Sequence, residues 1–210
     1  MDIGSLVLGF IGLLLALTVH EASHAWAASR LGDPTARLQG RLSLNPAVHI
    51  DPIGTILLPL VAMAASLPII GWAKPVPVDG RYLKHFRRDF MWIALAGPAS
   101  NILLAMLASM LLRALPYLPG AVGNVAVVAP LFEFIRQFFL INVFLAVFNM
   151  LPVPPLDGSN VIAAVLPRHL AYQWDQIRPY GIFILYGLML TGALRYLITP
   201  PAIFIAGLLW

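Results

Sequence analysis

Hydrophobic residues run along this chain in long blocks rather than in alternation. Ile3–Val19 carries no charge, and the polar residues after it (His20, Glu21, Ser23, His24) stay in helical register as far as Ser29. Crossing the hydrocarbon of a bilayer takes about 20 apolar residues. By that measure Ile3–Ser29, Phe90–Leu112, Leu131–Leu151 and Tyr180–Leu197 are predicted to span. Ala202–Trp210 is apolar but short, and Pro200-Pro201 is predicted to part it from the helix before it. A fifth apolar run, Pro52–Trp72, has the length to cross but is broken by Pro59 and Pro68, with Gly54 and Gly71 near its ends. Two flanking stretches read as extended. Ala36–Leu44 alternates roughly apolar with polar, and the prolines of Trp72–Val78 forbid a helix. They are expected to pair as a small β element at the membrane surface.

Composition agrees with the blocks. Of 210 residues, 60% are hydrophobic and 10% charged, against about 25% charged in soluble domains. That balance excludes a disordered chain, a nucleic-acid-binding tail and an ordinary soluble globule. The fold class expected is an all-α polytopic membrane protein, one domain over residues 1–210, with about four to six transmembrane helices. The first helix lacks a basic leader and a cleavage pattern, so it is read as retained rather than as a signal peptide. There is no cysteine, hence neither a disulfide framework nor a thiolate metal site.

Charge placement bears on Pro52–Trp72. Arg30, Arg37 and Arg41 precede it; Lys74, Arg81, Lys84, Arg87 and Arg88 follow it. If the run dips in and returns, these eight share one side with Arg168 and Arg178, leaving only Arg113, Arg136 and Arg195 opposite. That asymmetry is the one the positive-inside rule expects. A re-entrant segment is therefore favoured, with the basic side cytoplasmic.

Ionisable residues inside a membrane helix cost roughly 2.5–3.5 kcal/mol each on insertion scales, so they mark function by default. The first helix groups three: His20, Glu21 and His24. Residues i and i+4 lie one above the other on a helix face, so the two imidazoles can share one cation. Glu21 sits about 100° round the helix, placed to reach a water on that cation rather than to bind it. The string is HExxH, in which two histidines hold Zn²⁺ and the glutamate is the general base. With five histidines and two glutamates in the chain, chance gives roughly 0.001 such strings.

A catalytic zinc takes three protein ligands and keeps one position open. Candidates for the third are Asp157, Glu133, His49, Asp51, His85, His169 and Asp175. Asp157 stands out. It follows the Leu131–Leu151 helix in a stretch unwound by Pro152, Pro154 and Pro155, and Gly158 allows a sharp turn. Its other reading is a helix N-cap for a segment starting near Ser159. His49 reads as a surface histidine, His85 as part of a solvated basic run, and Glu133 as neutralised by Arg136 three residues on. His169 and Asp175 fall in a cytoplasmic segment.

His20-Glu21-Ala22-Ser23-His24, Ala96-Gly97-Pro98-Ala99-Ser100-Asn101, and the late Asn149…Pro152…Leu156-Asp157-Gly158 together resemble the site-2 protease family of intramembrane zinc metalloproteases. Asp-Pro-Ile-Gly-Thr (51–55) and Gly-Trp-Ala-Lys-Pro-Val-Pro-Val (71–78) are similar to its compact bacterial branch, without PDZ or nucleotide-binding domains. The resemblance covers about residues 5 to 165. It implies one zinc per chain on His20, His24 and Asp157, Glu21 as the catalytic base, and Asn149 near the substrate or its oxyanion. Gly97 and Asn101 would pack at the core. It also implies a membrane-protein substrate with a transmembrane segment, no nucleic acid, and regulated intramembrane proteolysis as the setting. An unwound substrate would pair with the extended stretches by strand addition. The alternative is a zinc or proton transporter using the same His and Asp residues. It would usually be built from repeated halves, and none is visible.

Overall fold

The computed structural model describes residues 3–58, 61, 72–117 and 125–210. Its frame is three long helices: α1 (Ile3–Arg30), α3 (Phe86–Ala114) and α4 (Val125–Asn149), with a single turn, α2 (Thr35–Leu38), after the first. Each long helix has the length and hydropathy to cross a membrane. Their contact faces are made of small side chains, which lets helix backbones approach where lipid supplies no hydrophobic drive. On α3 the buried stripe is Ala94, Gly97, Asn101, Ala105, Ala108 and Leu112, stepping by three or four residues along one face. Ile135, Phe139 and Val143 of α4 fill the space against it. Other bulky residues point outward: Phe10, Leu103, Met110, Phe183, Phe204 and Leu208 are all exposed. Polar inside and apolar outside is the arrangement a bilayer demands.

After α4 come α5 (Asp157–Val165), α6 (Arg168–Asp175), α7 (Gly181–Leu190) and α8 (Ala193–Leu209). Here the structure departs from the sequence reading. Tyr180–Leu197 is not one helix. Gly192 takes the left-handed conformation at φ +74°, and the chain bends by 83° between Arg168–Leu190 and Ala193–Leu209. The two prolines expected to end a helix lie inside α8. That helix packs Ala202, Ile205, Ala206 and Leu209 against α3 and α4. Its last residues reach Arg113, which donates to the Leu209 carbonyl at 3.2 Å and to that of Trp210. The run along α4 toward the Arg113 end is thus made by α8, with the 202–210 stretch as its second half.

The paired surface strands are also corrected. Among the described residues there is no strand. Thr35–Leu38 closes into a helical turn. Residues 72–78 have no regular secondary structure and form no ladder; Pro75 and Pro77 have no N–H to give one. Instead the guanidinium of Arg41 donates to the carbonyls of Lys74 and Pro75.

The interior of the Pro52–Trp72 run lies largely outside the described residues, but its ends meet. Trp72 N–H donates to Gly54 O at 3.2 Å, Thr55 Oγ1 donates to Trp72 O at 2.8 Å, and Lys74 N–H donates to His49 O at 2.8 Å. A Cβ on Gly54 would overlap the Trp72 indole. Opposite ends of one crossing stand about 30 Å apart, whereas hydrogen bonds bring residues 54–55 and 72 together here.

Candidate metal centre

His20 and His24 lie two-thirds of the way along α1, both buried. Their Nε2 atoms stand 3.1 Å apart, with the rings edge to face at 86°. Asp157 reaches them from the first turn of α5. Its Oδ2 lies 3.2 Å from His20 Nε2 and 3.3 Å from His24 Nε2.

Local backbone explains how the carboxylate arrives. The α4 helix ends at Asn149, and Val153 N–H and Leu156 N–H fold back on Leu151 O and Val153 O at 2.8 and 2.9 Å. Gly158 then passes so close to the Met150 and Leu151 carbonyls that any Cβ would collide with both. Leu156, not Asp157, occupies the N-cap position of α5, so the capping role is not the one taken. Gly97 plays the matching part on α3. A Cβ there would stand 2.6 Å from His20 Nε2 and closer still to His24 Nε2.

The outer faces of the imidazoles are held. His24 Nδ1–H donates to the Ile93 carbonyl at 2.7 Å, and His20 Nδ1–H donates to Asn101 Oδ1 at 2.6 Å. Each ring then turns an unprotonated Nε2 inward when neutral. Two nitrogen lone pairs and a carboxylate oxygen that is buried without a hydrogen-bond partner therefore converge. Such a cluster repels itself unless a metal ion or a proton sits in it. Ligand atoms about 2.0–2.2 Å from a tetrahedral ion stand about 3.3–3.6 Å from each other, so these separations lie at or just under the short end of that range. Nitrogen and carboxylate donors suit zinc.

Glu21 is half-buried on the adjoining face of α1. Asn149 donates from Nδ2 to Leu145 O at 3.0 Å within its own helix, and no described hydrogen bond joins it to the triad. The remaining candidates stay apart. His49 is buried rather than at the surface: it forms part of a folded loop, and its Nε2–H donates to Ser43 O at 2.9 Å. Asp51 caps a helical turn by accepting from the N–H groups of Ile53 and Gly54. Glu133 is tied to Arg136 and Gln137, as its spacing suggested. Asp175 pairs with Arg178 at 2.7 Å, and His85 and His169 are exposed. Among the described residues, only His20, His24 and Asp157 group in a way that could hold a metal. Asn142, fully buried and bonded to Asn101 at 2.9 Å, was not singled out from the sequence. In sequence it is one more polar residue in an apolar helix.

A bundle of membrane-crossing helices with an HExxH pair closed by a distant carboxylate is the architecture of an intramembrane metallopeptidase. Comparison with known proteins gives the family. Residues 114–190 match the model of peptidase family M50. The chain is 38% identical over 190 residues to the putative zinc metalloprotease YwhC of Bacillus subtilis, covering 90% of this chain and 83% of that one. It is 31% identical over 196 residues to the putative zinc metalloprotease Rip2 of Mycolicibacterium smegmatis, covering 92% and 70%. To the putative zinc metalloprotease MJ0611 of Methanocaldococcus jannaschii it is 38% identical over 106 residues, covering 50% and 42%. No solved structure matches. The chain belongs to peptidase family M50, the site-2 proteases, and is a multi-pass membrane metallopeptidase.

Proposed function

We propose that this protein is a zinc endopeptidase that cuts peptide bonds in or near transmembrane segments of membrane-protein substrates. In this reading His20, His24 and Asp157 hold the metal, and Glu21 is the general base. The observation that carries it is the convergence of two inward Nε2 atoms and the Asp157 Oδ2 within 3.1–3.3 Å of one another.

Zinc, when bound, supplies a Lewis acid and lowers the pKa of its water toward 7. The protein's own groups do the rest. Glu21 accepts the proton of the attacking water and passes it to the leaving amine. Asn101 and Ile93 O keep the imidazoles oriented. Asn149 gives one N–H of its amide to Leu145 O, which leaves the second for the oxyanion. The substrate must be unwound at the cut, since a helix hides its carbonyls. Residues 72–78 offer it few backbone groups: the N–H groups of Trp72 and Lys74 and the carbonyls of Trp72, Lys74 and Pro75 are already engaged, and Pro75 and Pro77 have no N–H. The basic residues flanking the closed 54–72 run support a centre that lies toward the cytoplasmic face of the cell membrane.

Incubating the purified chain with a model transmembrane peptide, with and without a zinc chelator, tests the reading. Chelator-sensitive cleavage is expected. Zinc flux into sealed vesicles without cleavage would support a transporter instead.

A further inference from the structure

A line of side-chain amides crosses the three long helices behind the triad. It runs from His20 on α1 to Asn101 on α3 at 2.6 Å, then to Asn142 on α4 at 2.9 Å. It ends where Asn142 Nδ2 donates to Phe138 O at 2.8 Å. Both asparagines are fully shielded from solvent. Amides are retained in such a place only when their polar atoms are partnered.

This line has a direction, and its far end sets it. Phe138 O is a main-chain carbonyl and can only accept. Asn142 must therefore turn its NH₂ toward it, which leaves Oδ1 facing Asn101. Asn101 must answer with its own NH₂, which leaves Oδ1 for His20. Ala16 O lies 3.4 Å from Asn101 Nδ2, consistent with this orientation but beyond the usual hydrogen-bond range, so the firm acceptor is Asn142 Oδ1. His20 then carries its proton on Nδ1 and turns a bare Nε2 to the triad. Rotating the Asn101 amide by half a turn would offer an N–H to Nδ1. The proton would move to Nε2, and that nitrogen could no longer bind a cation. His24 is built differently, because its Nδ1–H donates directly to a carbonyl that cannot rotate.

We propose that Asn142 is a positioning residue that sets, through Asn101, which ring nitrogen of His20 carries the proton. Its value to the enzyme rests on His20 being a metal ligand; the proton's position does not. Partners of this kind change metal affinity by about 10–100-fold.

The test is nitrogen NMR of the histidine rings in the metal-free full chain, together with zinc titration. In the wild type, His20 and His24 are both expected to be protonated on Nδ1. In Asn142→Leu the His20 proton is expected on Nε2, with His24 unchanged and zinc affinity lowered about 10–100-fold. Asn142→Asp still accepts from Asn101 whether or not it is protonated, so it is expected to keep the wild-type His20 form. A packing role alone would not separate Leu from Asp in this way. The proposal is overturned by a wild-type His20 whose Nδ1 carries no proton, a reading that requires no variant to fold. It is equally overturned by a folded Asn142→Leu chain that keeps Nδ1 protonation. A wild-type chain with Nδ1 protonation that binds no zinc would sink the ligand assignment and leave the relay standing.

Discussion

At the scale of single residues, the centre is defined as much by a missing atom as by its three side chains. Gly97 faces both imidazoles, and the smallest addition there overlaps the Nε2 atoms. Gly97→Ala is expected to leave helix content intact while zinc content of the purified protein falls, measured by metal analysis. The bundle can absorb a methyl group more readily than two fixed rings can. Glu21 makes the complementary prediction. Glu21→Gln keeps the shape of the side chain but cannot take a proton. Peptide cleavage is expected to fall by about 10²–10⁴-fold, with zinc retained. A variant cutting at the normal rate would move the base elsewhere. At this scale HExxH was legible because helical periodicity alone brings i and i+4 together. Asn142 was not legible, because its meaning lies in which helices pack beside it.

At the scale of elements, the connection after α1 is held by one buried carboxylate. Asp33 is fully buried and accepts from Thr35 N–H at 2.9 Å and Asp79 N–H at 2.7 Å. It ties the end of α1 to the segment that follows residues 72–78. Hydrogen bonds to a charged group contribute about 1.5–3 kcal/mol each. Asp33→Ala is expected to lower the melting temperature and to speed proteolysis near residue 79. Unchanged cleavage there would show that the Arg41 contacts suffice. The last helices were the poorest reading from sequence. Hydropathy saw one span at Tyr180–Leu197, whereas the turn at Gly192 divides it. A glycine in an apolar run gives no sign of whether it continues a helix or reverses it. The prolines at 200 and 201 misled for a related reason: a helix packed along α4 tolerates the lost hydrogen bonds.

At the scale of the whole molecule, the closed 54–72 run bears on which loops share a side of the membrane. Cysteines placed singly near residues 40 and 80 are expected to react with the same membrane-impermeant reagent from the same face. The chain has no native cysteine to obscure the result. Labelling from opposite faces would mean that the run spans. The charge asymmetry had favoured this arrangement, but only contacts between Gly54, Thr55 and Trp72 join the two ends.

The membrane class, the three long helices and the His20–Glu21–His24 face follow from the sequence by itself, because composition and a 3.6-residue period are local properties. Asp157 could be favoured but not placed from sequence alone. Its arrival beside the imidazoles depends on the fold-back after Asn149 and on the absence of a side chain at Gly158. The direction of the Asn142–Asn101–His20 line belongs wholly to tertiary structure. A hydrogen bond acquires a donor end and an acceptor end only when its partners are in place, and these partners come from three different helices.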